Sequence, residues 1–237
     1  MLDKKDLEEI IDELATENKI YSNEAQFQFD LAWKIKKSHE DYDVVLEYLW
    51  KPEKWYIDIV VFYDNKCVPI ELKYKTTDKE ITYNTKNGRC YTFNQGAPDT
   101  GSYDYIKDIY RIENLGKSLK YKGVDYTIEC GYAIIITNDS HYYNKLKEKN
   151  KNGNYYYWEN FSLAQEQIKN NIYWINPKNR TREEPGNHTD KSREHEIILK
   201  NKYALMNNCK EYVVSYEPKD APKFKYLITQ ITTEKKK

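Results

Sequence analysis

Two apolar runs separated by a three-residue turn, "WYIDIVVFY" (55–63) and "CVPIELKY" (67–74), constrain this chain more than any other feature. Both have strand length, both are rich in β-branched and aromatic residues, and the intervening "DNK" is a turn sequence. Yet each run carries charge in its middle: Asp58 in the first, Glu71 and Lys73 in the second. Side chains alternate along a strand. Tyr56, Asp58, Val60 and Phe62 are therefore expected on one face, with Ile57, Ile59 and Val61 on the other. In the second run Val68, Ile70, Leu72 and Tyr74 make a wholly apolar face that must lie in a core. Pro69, Glu71 and Lys73 point the opposite way. If the two strands are neighbours, Asp58 stands beside the Glu71–Lys73 pair.

That placement has a cost. Unpaired carboxylates in a low-dielectric setting cost several kcal/mol each, and two together repel. A divalent cation between them removes the problem. Mg2+ takes carboxylate oxygens, keeps several waters and accepts phosphate oxygens as its remaining ligands. Lys73 is then placed to hold an attacking water or to stabilise charge on the phosphate. The competing reading is a half-exposed hairpin with a Glu–Lys ladder on its wet face. With 38 basic and 38 acidic residues in 237, an isolated ExK carries little weight here.

The flanking sequence supplies context. Residues 3–17 have helical spacing with Asp3 as N-cap, and "SNEAQFQFDLAWKIKKSH" predicts a second helix from about Ser22. "YDVVLEYLW" reads as a strand preceding the two quoted runs. "TYNTKNGRCYTFNQGAPDTG" is loop-like. "SYDYIKDIYRIENLG" predicts a helix capped by Ser102 and stopped by Gly116, and "YTIECGYAIIITND" a buried strand. Strands are expected again in "HEIILKNKYALM", "EYVVSYEP" and "KFKYLITQIT". The order helix, three strands, helix, strand predicts a mixed α/β sheet in a single domain 1–237, with a core over about 20–140 and a C-terminal extension over about 141–237.

Asp58, a gap of 71 − 58 = 13 residues, then Glu-Leu-Lys resembles the signature of the PD-(D/E)xK phosphodiesterase superfamily, which includes type II restriction enzymes, Holliday-junction resolvases and phage-type exonucleases. The resemblance implies a restriction-endonuclease-like core, a central mixed sheet flanked by helices, and Mg2+-dependent hydrolysis of phosphodiesters, with Mn2+ able to substitute. It makes Asp58, Glu71 and Lys73 catalytic. It makes Glu24 (near the start of the second helix), Asp58, Glu71 and the Leu72 carbonyl the metal ligands. Ile57 stands where many members have proline. Gln95 is a loose match to a glutamine some members place after the third strand. DNA is the expected partner, with RNA open, and a homodimer is allowed because two strands need two sites. A catalytically silent nucleic-acid-binding or assembly protein on the same fold is the alternative.

Softer features add little. Lys178, Arg180 and Arg182 in "NPKNRTREEPGNHTDKSREH" suit a phosphate-gripping loop or a plain solvated one. The helix with Tyr105, Lys107, Tyr110 and Arg111 offers a basic, aromatic edge, although ordinary packing is the simpler account. A formal net charge of zero neither supports nor excludes a nucleic-acid partner. The four cysteines form no CxxC pair, so neither a structural zinc nor a disulfide framework is expected. There is no signal-peptide core and no apolar run of about 18 residues, so a cytoplasmic protein without a membrane partner is expected. No Walker A glycine loop is present.

Overall fold

The computed structural model describes residues 1–77, 79–93, 97–144, 162–164, 171–172, 197–203, 205 and 209–233. Helix α1 (Lys4–Thr16) begins with a reciprocal capping box: Asp3 accepts from the Asp6 N–H at 2.9 Å, and Asp6 accepts from the Asp3 N–H at 2.8 Å. Helix α2 (Glu24–Ser38) begins two residues beyond Ser22, with Asn23 as its cap accepting from the Gln26 N–H. Three strands follow as an antiparallel meander, β1 (Asp43–Trp50), β2 (Trp55–Tyr63) and β3 (Lys66–Lys75). Then come the hairpin β4 (Ile81–Thr85) and β5 (Gly88–Thr92), helix α3 (Pro98–Glu113), and strands β6 (Ser118–Tyr121), β7 (Val124–Ile128) and β8 (Gly131–Thr137). Short pieces β9 (Asn171–Ile172), β10 (Ile197–Ile198) and β11 (Lys210–Glu211) precede the seven-residue β12 (Lys225–Ile231).

Among the described residues the main sheet runs β1-β2-β3-β8-β12-β11, with β7 also along β3 and β6 beside β7. β3 and β8 are parallel and β12 returns antiparallel to β8, so the sheet is mixed, as expected from the element order. It separates two apolar layers. On one side α1 and α2 pack on Ile59, Val61, Ile70, Leu72, Ile134 and Ile228. On the other, α3 packs on Val60, Phe62, Cys67, Ala133, Ile135 and Leu227. Helices thus cover both faces, which is what a parallel central pair requires. A Cβ on Gly131 would lie 2.5 Å from the Ile112 side chain and 2.9 Å from the Pro69 carbonyl, so glycine lets α3, β3 and β8 meet closely. Among the described residues no helix is long and apolar enough to cross a membrane.

Three expectations change. Residues 82–92, expected as loop, belong to the β4–β5 hairpin, whose turn uses Gly88 at φ 112°. Helix α3 starts at Pro98, a turn before Ser102; proline suits the first helical position, and Ser102 is fully buried inside the helix. Ile57 joins the core on the α3 side with Val60 and Phe62, whereas Ile59 and Val61 lie on the other side. The alternation slips at Asp58, directly opposite Glu47, which has φ 50° and leaves a gap in the β1–β2 pairing.

The end of α3 is fastened by Glu113, which is fully buried. Its carboxylate accepts from the backbone N–H groups of Lys200 (2.8 Å) and Asn201 (3.1 Å) and from the Tyr203 hydroxyl (2.6 Å). Glu113→Ala leaves those donors buried without an acceptor and is expected to cost roughly 3 kcal/mol or more. Urea denaturation measures this; a loss below about 0.5 kcal/mol, the range of ordinary surface changes, contradicts the clamp.

Candidate active site

The site begins where the sheet comes apart. β2 and β3 pair from Tyr63↔Lys66 up to Ile59↔Ile70, and there the pairing ends. β2 continues along β1 to Trp50↔Trp55 as a two-stranded ribbon. Two β3 N–H groups, those of Leu72 and Tyr74, therefore face an edge that β2 has left. Buried N–H groups need acceptors, and carboxylates supply them. Asp58 Oδ2 accepts from the Leu72 N–H at 2.6 Å, and Glu24 Oε2, from the first turn of α2, accepts from the Tyr74 N–H at 2.8 Å. The Asp58 carbonyl accepts from Gln28 Nε2 (2.7 Å), and the same amide reaches Glu47 Oε1 (2.8 Å). The splay is thus stitched by side chains from α2, β1 and β2.

Glu71 and Lys73 point to the α3 side. Glu71 is 1% exposed. Arg111 Nη1 stands 3.2 Å from Glu71 Oε1, but no hydrogen bond of good geometry reaches that oxygen. The same nitrogen is 3.3 Å from Asp108 Oδ1, and Nη2 donates to the Tyr56 carbonyl. Arg111 also lies over the Trp55 ring at 5.5 Å. Lys73 Nζ is 2.7 Å from Asp108 Oδ2, 3.8 Å from Glu24 Oε1, and donates to the Leu72 carbonyl at 2.8 Å. Four carboxylates, on Glu24, Asp58, Glu71 and Asp108, thus meet two cations, Lys73 and Arg111, in one half-buried network.

The electrostatics follow from burial and crowding. Burial raises the Asp58 pKa to about 6, and the charges of Asp108 and Glu24 add to this against the opposing Lys73 and the Leu72 N–H. Glu71 is pushed well above the usual carboxylate range by burial and then by Asp108 and Asp58, with Arg111 and Lys73 opposing. Burial would pull Lys73 down, but Asp108, Glu24 and Asp58 together hold it above its ordinary value, so it is an ammonium at every pH of interest.

The structure brings together Glu24, Asp58, Glu71, Leu72 and Lys73. It adds Asp108, which sequence reasoning missed. The signal for Asp108 was present: an acid three residues before Arg111 on the apolar stripe of a helix expected to pack on the charged strand. Arg111 is turned inward and Tyr105 is fully buried, donating to the Ala133 carbonyl at 2.9 Å, so these two do not form an outer edge of α3. Gln95, Lys178, Arg180 and Arg182 lie outside the described residues.

Among the described residues no group of three or more acids, histidines or cysteines is gathered as a metal cage. The candidate ligands are turned instead to backbone N–H groups and to the two cations, and the Leu72 carbonyl accepts from Lys73. The donor chemistry nevertheless fits a hard divalent ion: carboxylate oxygens in formal excess over cations, and a buried Glu71 oxygen without an aligned donor. No family model, no characterised protein and no solved structure matches the chain.

A raised carboxyl pKa makes the folded protein hold a proton that the unfolded chain has released. Stability therefore falls as pH rises through the window from about 4 to about 6 in which Asp58 ionises. Asp58→Asn keeps an acceptor for the Leu72 N–H and carries no charge. In EDTA it should be more stable than wild type by roughly 2 kcal/mol at neutral pH, and equal to it below about pH 4. Thermal unfolding across pH checks this; a mutant less stable by the same amount at every pH contradicts the assignment.

Proposed function

We propose that this chain is a metal-dependent nuclease with a restriction-endonuclease-like core, hydrolysing phosphodiester bonds, with DNA as the leading substrate and Mg2+ (or Mn2+) as the ion. The observation that carries the reading is the splay itself. It sets Asp58 against β3 at the Glu71–Lys73 pair, with Glu24 closing the far end, so the residues singled out by the sequence motif meet at one strand break.

Asp58 and Glu71 would hold the ion, with Glu24 behind them. Such an ion, when bound, polarises a phosphodiester and lowers the pKa of a coordinated water. Asp58 contributes orientation as well as charge, because its second oxygen is fixed by the Leu72 N–H. Lys73 stays protonated and is held by Asp108 and the Leu72 carbonyl, so its role is to orient water and to offset charge on the phosphate rather than to accept a proton. A catalytically silent nucleic-acid-binding protein on the same fold draws support from one observation: each of the four acids already faces a protein donor or cation.

Cleavage separates the two readings. Plasmid and short duplexes should be cut in Mg2+ and not in EDTA, and Asp58→Asn or Glu71→Gln should lower the single-turnover rate at least about 100-fold. Lys73→Ala should bind DNA in Ca2+ within about threefold of wild type yet cleave at least about 100-fold more slowly, because an interaction made in the transition state is lost while binding persists. Full activity in any of the three variants contradicts the assignment, and absence of cleavage in wild type favours the silent protein.

A further inference from the structure

Arg111 and Asp108 are not part of the motif, yet they stand in the middle of the site. We infer that Arg111 is an internal counter-ion that competes with a divalent cation for Glu71, so that binding of the cation requires Arg111 to withdraw from that oxygen. The inference rests on the metal-binding part of the proposed function.

The two cations of the site share Asp108 and divide the remaining oxygens between them. Lys73 donates to the Leu72 carbonyl at 2.8 Å and makes charge contacts with Asp108 Oδ2 at 2.7 Å and Glu24 Oε1 at 3.8 Å. Arg111 approaches Glu71 Oε1 to 3.2 Å without an aligned hydrogen bond, so the contact is a charge contact alone. Its hydrogen bonds go elsewhere, to Asp108 Oδ1 at 3.3 Å and to the Tyr56 carbonyl, and it lies over the face of Trp55. Arg111 therefore reaches in from the rim, where its side chain is 18% exposed, to a carboxylate that is 1% exposed.

Its presence has a clear reason. Glu71 is buried beside Asp108 and Asp58, and a buried carboxylate without a counter-charge costs several kcal/mol. A guanidinium is a permanent counter-charge, so it offsets the carboxylate whenever Glu71 is ionised. For the same reason it repels a second cation placed on the same oxygen. Asp108, bridging Lys73 and Arg111 through its two oxygens, offers Arg111 a partner when Glu71 is taken. Asp108 is thus a positioning residue for both cations.

The test uses the whole protein with Mg2+ or Ca2+ alone and no DNA. Calorimetric titration should show Arg111→Gln binding the cation at least about tenfold more tightly than wild type, since a repelling charge near the ion is removed. Asp108→Asn should bind it more weakly. Should Arg111→Gln fail to fold, wild type and Trp55→Phe decide: the cation should change the fluorescence of wild type through Trp55, over which Arg111 lies, and the change should vanish in Trp55→Phe while binding persists. Unchanged or weaker binding in Arg111→Gln, or binding by wild type with no Trp55 signal, overturns the inference and leaves the nuclease reading standing. Binding by neither protein overturns both.

Discussion

The parting of β2 from β3 is the constraint on which the rest of the site depends. An antiparallel pair that continued past Ile59↔Ile70 would place Asp58 opposite Glu71 and satisfy the Leu72 and Tyr74 N–H groups with backbone carbonyls. Because β2 leaves, those two donors need other acceptors. The carboxylates of Asp58 and Glu24 take them at 2.6 and 2.8 Å. Each is anchored by one oxygen, which fixes its direction. A backbone defect thereby becomes a device for aiming acids, and a charged acceptor makes a stronger bond to an N–H than a neutral carbonyl does.

Helix α3 completes the arrangement from the opposite layer. It carries Asp108 and Arg111 at i and i+3 on a face otherwise made of Tyr105, Ile109 and Ile112, all fully buried. Its C-terminal end is tied by Glu113 to the segment 200–203, and β12 lies in the sheet beside β8. Residues far along the chain therefore help decide where the counter-ions of the site stand. Tyr203 touches none of the four acids of the site and is connected to them through Glu113 and helix α3.

The sequence made some of this legible and hid the rest for physical reasons. The apolar face Val68–Ile70–Leu72–Tyr74 and the opposite placement of Glu71 and Lys73 followed from period-two alternation, because β3 is regular from end to end. The slip at Asp58 did not follow. It depends on Glu47 adopting a positive φ on the neighbouring strand and on β2 leaving β3, which are tertiary events. The β4–β5 hairpin was hidden because its alternation is short and interrupted by polar residues. Asp108 was hidden by its helix: read alone, an acid followed by Arg111 looks like a surface i, i+3 pair, and only the charged strand beneath gives it another meaning.

The balance of charge bears on what can approach this site. Glu24, Asp58, Glu71 and Asp108 against Lys73 and Arg111 leave a formal excess of two negative charges when all are ionised. Burial and mutual repulsion hold part of that excess back by raising the pKa values of Asp58 and Glu71. A phosphodiester is itself an anion, and binding of nucleic acid is dominated by favourable contacts to its phosphates. A protein that merely bound DNA at this place would gain from cations here and lose from each acid. The acids make sense at a phosphate only if a divalent cation comes between, converting the excess into ligands. In this network Lys73 is already committed to holding charge in place, and Arg111 is the counter-ion that such a cation would have to replace.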